Sequence, residues 1–189
     1  MSKAFLFRRK QNIQSNEERA GKSPALLFVI ALLIICVLYF ALPLSERLIV
    51  SQRNSEKVLL SLPIEKGEVF KIAFIHSLNL SPVTDCYEWT GDLLILRSTI
   101  FKTYGAGIPI LDDGLGTGFL QTEEGFQITG IDAPRQKIDI MLQLVPDHRI
   151  LYSDREIRLL EYANSGTIVS IYVGKISLFR AYLTRLQTP

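Results

Sequence analysis

The segment His76-Ser77-Leu78-Asn79-Leu80-Ser81-Pro82-Val83-Thr84-Asp85-Cys86-Tyr87 concentrates the side chains most able to do chemistry: an imidazole, hydroxyls, a carboxylate and a thiol. If a strand ends at His76-Ser77, a polar turn carries Pro82 and the next strand begins near Asp85, the hairpin brings His76 and Asp85 toward each other. A histidine beside a carboxylate can fix a tautomer, bind a polar ligand or act as a base. The plainer alternative is a histidine satisfied by a strand-end carboxylate or carbonyl. Nucleophilic chemistry fits less well. Neighbouring strand residues point to opposite faces, so His76 and Ser77 make a poor dyad. Ser81 can reach back across the turn, but it lacks the strand-turn-helix setting of a nucleophile elbow. Nothing nearby would lower the Cys86 thiol pKa for a pairing with His76, and a small buried cysteine is the simpler reading.

A second segment, Phe101-Lys102-Thr103-Tyr104-Gly105-Ala106-Gly107-Ile108-Pro109, sets two glycines around an alanine. Gly105 and Gly107 let the backbone approach an anion or another strand, or simply make a sharp turn. Gly114-Leu115-Gly116-Thr117-Gly118 offers the same choice, with no Lys-Ser/Thr pair to make a phosphate loop. Asp112 and Asp113 do not have calcium-loop spacing. His76 and His148 together would need a further ligand to hold a metal. No catalytic set is complete, and neither a metal nor a cofactor is expected.

The elements that must position these residues are β-strands. Period-two patterning and β-rich composition place strands at Lys57–Leu62, Val69–Ile75, Cys86–Thr90 and Leu93–Phe101, the last two joined by a tight turn at Gly91-Asp92. Further strands are expected at Gly125–Thr129, Ile138–Leu144, Arg149–Tyr152, Ile157–Tyr162 and Thr167–Val173. Turn residues at Asp132-Ala133-Pro134, Pro146-Asp147 and Asn164-Ser165-Gly166 separate them. Ile176, Phe179, Tyr182, Leu183 and Leu186 fall on one helical face, although Ile176 to Phe179 can equally extend a strand. The pattern predicts a mainly β chain: one N-terminal transmembrane helix, then an antiparallel β-sandwich or barrel-like domain.

That transmembrane helix is read from an apolar run, Ala25 to Leu44, without a charged residue and opened by Pro24. It has the ~20 residues that crossing a bilayer requires. It is longer than the apolar region of a cleaved signal peptide, and Tyr39, Phe40 and Leu42 stand where a cleavage site wants small residues. Ile35 before Cys36 argues against lipoprotein processing. Lys3, Arg8, Arg9, Lys10, Arg19 and Lys22 precede the run, so the N-terminus is expected in the cytoplasm and the remainder outside the cell membrane. The expected organisation is a cytoplasmic tail over 1–23, a transmembrane helix over 24–44, a stalk with the first strand over 45–66 and an extracytoplasmic β-domain over 67–189. From Ser45 onward the chain has 15 basic and 17 acidic residues, a net charge of −2, which argues against a nucleic-acid partner. The bilayer itself is the first partner implied.

His76, Ser77, Pro82, Asp85 and Tyr87, followed by Phe101, Gly105, Ala106, Gly107 and Pro109, form a pattern that resembles a bacterial domain-of-unknown-function family, number 1850 of its series. Asp85 stands where the family pattern has glutamate, one methylene longer, and Ser77 to Pro82 lacks the charges often found there. The candidate ligand- or partner-binding residues are His76, Ser77, Asp85, Tyr87, Phe101, Tyr104, Gly105, Gly107 and Pro109, with Tyr87, Phe101 and Tyr104 available as aromatic anchors. The resemblance implies an accessory role beside TRAP-type transporters, with a permease or TAXI-class solute receptor as partner. The expected function is therefore a membrane-anchored, extracytoplasmic accessory or binding module. The alternatives are an envelope enzyme using His76 and Asp85 as an acid-base pair, and a purely structural envelope protein.

Overall fold

The computed structural model describes residues 24–43, 45–55, 57–102, 116–123 and 125–186. Helix α1, Pro24–Ala41, has an apolar surface on every side and buries none of its residues. At 1.5 Å per residue it is roughly 27 Å long, close to the ~30 Å of bilayer hydrocarbon. By length and composition it can cross a membrane.

From Pro43 onward the chain forms a second compact unit. Its elements are β1 (Ser45–Gln52), β2 (Val58–Pro63), β3 (Val69–His76), β4 (Ser81–Trp89), β5 (Leu94–Phe101), β6 (Gly118–Thr122), β7 (Gly125–Arg135), β8 (Ile138–Met141), β9 (Arg149–Tyr152), β10 (Arg155–Arg158), a 3-10 turn (Leu159–Glu161), β11 (Ile168–Ile176) and helix α2 (Leu178–Leu186). One sheet has the order β2-β1-β11-β8, the other β10-β9-β3-β4-β5-β7-β6. Every pairing is antiparallel. The chain is thus mainly β, as its patterning indicates.

Alternation puts one face of each sheet inward. Leu48, Val50, Val169 and Ile171 from the four-stranded sheet meet Phe70, Ile72, Tyr87 and Ile150 from the other in one buried cluster. This is the core of a sandwich, and each such side chain contributes about 1.5–3 kcal/mol when fully buried. A hydrogen bond from Trp89 Nε1 on β4 to Glu46 on β1, at 3.0 Å, ties the sheets together. A second cluster, Val83, Phe101, Ile128 and Ile131, lies farther across β4, β5 and β7.

Several elements differ from the sequence reading. Ser45–Gln52, expected as stalk, is a strand paired on both sides. Its Leu48-Ile49-Val50 run does not alternate because both faces are covered: Leu48 and Val50 face the main core, and Ile49 packs with Ala181 of α2. Strand β4 starts at Ser81, five residues earlier than expected, with Pro82 paired opposite Ile75. Asp132-Ala133-Pro134 is strand rather than turn, lying in β7 beyond an irregularity in its pairing with β5. Ile157–Tyr162 divides into the end of β10 and the 3-10 turn, because the Leu159 N–H turns to the His148 carbonyl at 2.9 Å. Gly91 makes the expected turn at φ +93°.

Candidate functional site

The β3–β4 hairpin carries the site. Its turn is short, Ser77 to Leu80, closed by the Leu80 N–H donating to the His76 carbonyl at 2.8 Å. Leu80 adopts φ +50°, a left-handed conformation uncommon for a side chain of its size. The register pairs His76 with Ser81, Phe74 with Val83 and Ile72 with Asp85. All six share the core-facing side of the sheet, because residues directly opposite in an antiparallel pair project the same way.

This register corrects the expected meeting of His76 and Asp85. Asp85 lies four residues beyond the partner of His76, about 13 Å along the strand at ~3.4 Å per residue. The two do not form a hydrogen-bonded pair, and the cause is the early start of β4. Asp85 is instead paired across β5 with Thr99, whose hydroxyl donates to its carboxylate. Burial holds the Asp85 carboxyl above the usual carboxylate range, opposed by the Thr99 hydrogen bond. Tyr87 stacks on Phe70 with ring centres 5.6 Å apart, and burial followed by the charge of Asp85 pushes its phenol upward. Phe101 packs against Phe126 at 6.0 Å. Tyr87 and Phe101 are therefore core aromatics. Ser77 is exposed in the turn. Tyr104, Gly105, Gly107 and Pro109 lie outside the described residues, as do Asp112 and Asp113.

What distinguishes the hairpin end is a set of buried polar atoms without hydrogen-bond partners: Nδ1 of His76, Nδ2 of Asn79, Oγ of Ser81 and Nδ1 of His148. Three come from one hairpin. The fourth stands beside it, because the His148 ring stacks on Phe74 at 5.4 Å and the Ile75 N–H donates to the Pro146 carbonyl at 2.8 Å. Burial pushes the His148 imidazole pKa down, so the ring is neutral at pH 7. A buried polar group without a partner costs about 1–3 kcal/mol, and natural folds rarely collect several in one place. Around them Leu78 and Leu144 are 72% and 73% exposed, and Leu80 and Val145 are exposed as well. An amide nitrogen only donates, whereas a hydroxyl and a neutral imidazole can donate or accept.

The other sequence candidates resolve into structure. A Cβ at Gly118 would come within 2.5 Å of Thr129 Oγ1, so this glycine permits the close approach of β6 and β7 rather than cradling a phosphate. Cys86 is a buried free thiol. Among the described residues no group of three or more histidine, cysteine or acidic side chains is arranged to hold a metal. The roles of Asn79 and His148 at the hairpin end were not legible in sequence, since only the register aligns them with His76 and Ser81.

These features define a small antiparallel β-sandwich with a polar, unsatisfied cluster at one end of its larger sheet. Residues 70–159 match the family model of a domain of unknown function, DUF1850, a stretch running from β3 to the first residue of the 3-10 turn. No curated protein and no solved structure matches the chain.

Proposed function

We propose that the chain is a single-pass membrane protein, with its N-terminus in the cytoplasm, whose extracytoplasmic β-domain is a non-catalytic binding module that assists a TRAP-type solute transporter. The observation that carries the binding reading is the set of four partnerless buried polar atoms at the hairpin end, ringed by exposed aliphatic side chains. Buried polar atoms without partners are costly, and a binding event that repacks this end and pairs them would offset that cost. The anchor reading rests on the length and all-round apolarity of α1 and on the basic residues before it. The transporter reading rests on the resemblance of the His76–Pro109 pattern. The separation of His76 from Asp85 gives the acid-base enzyme no paired groups, and a purely structural role would leave the partnerless atoms without a purpose.

The test is recovery of partners from native membranes in mild detergent, with the full chain as bait, comparing wild type with His76→Ala/Asn79→Ala. A permease or solute receptor recovered with wild type and lost with the variant supports the reading. Equal recovery with both chains refutes the hairpin as the docking surface.

A further inference from the structure

The C-terminal helix reverses the ordinary pattern of burial. A surface helix of a globular domain turns its apolar stripe inward. In α2 the inward residues are Ala181, packed with Ile49 and Ile176 on the outer face of the four-stranded sheet, and Thr184, whose hydroxyl donates to the Arg180 carbonyl at 3.0 Å. The outward stripe is Phe179 and Tyr182, each 60% exposed, with Leu183 one position further on. Residues three and four apart share a helix face, so these three form one patch. Arg180 is exposed beside it. Aromatic and aliphatic side chains beside a basic one are the composition of a helix lying in a membrane interface.

Chain continuity says what covers the patch. Ser45, the first residue of β1, is paired with Ile176, and α2 begins two residues after Ile176. Ser45 also follows Ala41, the last residue of α1, within four positions. The sheet end after which α2 begins is thus the end at which the chain continues from its apolar helix. We propose that α2 is an interfacial helix: Phe179, Tyr182 and Leu183 enter the boundary between headgroups and acyl chains, and Arg180 meets anionic headgroups. This rests on α1 spanning the membrane, as proposed above.

Strand β8 runs toward the Gln52 end of β1, because Met141 pairs with Ile168 while Gln52 pairs with Val169. The following loop joins the β3–β4 hairpin at Pro146. The partnerless polar cluster therefore lies at the end of the sandwich opposite the Ser45–Ile176 pair, after which α2 begins.

The test uses the full chain in vesicles of phosphatidylcholine and phosphatidylglycerol containing doxyl-labelled lipid. An environment-sensitive fluorophore is attached at Phe179→Cys, Tyr182→Cys or Leu78→Cys in a Cys36→Ser background, and at Cys36 of the wild-type chain. All three substituted side chains are exposed, so their replacement removes no core contact, and Cys86 is buried from the reagent. The expected result is quenching at positions 179 and 182 about three-fold stronger than at 78, as interfacial burial requires. If Cys36 is quenched while 179 and 182 match 78, α2 is not at the interface and this inference alone falls. If Cys36 is not quenched either, the membrane anchor and the inference fall together.

Discussion

Two serines with the same exposure should respond in opposite ways to the same substitution. Ser81 and Ser170 are each 6% exposed. The Ser170 hydroxyl donates to Asp139 at 2.6 Å, whereas the Ser81 hydroxyl has no partner. Replacing a serine by alanine removes one oxygen and leaves little cavity, so the outcome is governed by hydrogen bonding. Ser81→Ala relieves a buried unsatisfied hydroxyl, whose penalty is about 1–3 kcal/mol, and should raise stability by about 1–2 kcal/mol. Ser170→Ala breaks a bond to a charged acceptor and should lower stability by about 1.5–3 kcal/mol. For a domain of this size the corresponding shifts in Tm are about 2–4 °C per kcal/mol, upward for the first variant and downward for the second. Thermal unfolding of the full chain in detergent, followed by near-UV circular dichroism, measures both. A fall in Tm with Ser81→Ala would show that its hydroxyl is satisfied in the free protein, and the argument that the hairpin end awaits a partner would lose its energetic basis.

Asp85→Asn keeps an oxygen for the Thr99 hydroxyl and removes a buried charge. Burial raises the folded carboxyl above its unfolded value near ~3.9, so stability from this group is greatest below that value and is lost as pH rises through the folded pKa. Urea midpoints of Asp85→Asn should exceed those of wild type at neutral pH and converge with them in acid. His148 has the opposite sign: its folded pKa is lowered by burial, so acidification below the unfolded value near ~6.5 should destabilise wild type more than His148→Gln in the same titration. Phe70→Ala, at a fully buried ring stacked on Tyr87, should cost about 3–5 kcal/mol by denaturant unfolding. Gly125→Ala places a methyl group against the Phe101 carbonyl at φ +133° and should cost well over the ~1 kcal/mol of an unstrained glycine site, read as a lower Tm.

The strands with alternation were legible in sequence almost to the residue, Val69–Ile75 against Val69–His76 and Arg149–Tyr152, and Leu93–Phe101 against Leu94–Phe101 was legible from its β-rich composition after the Gly91 turn. Those that broke the pattern were not. Leu48-Ile49-Val50 is apolar on both faces because α2 covers the outer one, a condition set by residues more than a hundred positions away. Pro82 and Pro134 suggest turns, yet both are accommodated within strands, Pro82 next to the first residue of β4 and Pro134 beyond the irregularity in β7. The apolar face of Phe179, Tyr182 and Leu183 is visible in the spacing, but which way it turns depends on Ala181 and Thr184 fitting the sheet more closely. At the site, the cluster of chemistry-bearing residues was visible but its pairing was not. A shift of the β4 start to Ser81 removes Asp85 from His76 and sets Ser81 there instead, with His148 placed one strand away by tertiary pairing alone.

The pairing of β1 with β11 has a consequence for how the protein is made. Ser45 and Ile176 are partners although roughly 130 residues separate them, so the smaller sheet cannot close until synthesis has passed β11. Until then β1 carries an apolar, unpaired edge directly behind the hydrophobic helix, the kind of segment that recruits wrong partners. Loss of the last two dozen residues would remove not a dispensable tail but the strand that sits between β1 and β8. A chain stalled short of β11 would carry most of the larger sheet but no strand to join β1 to β8, so the smaller sheet could not form.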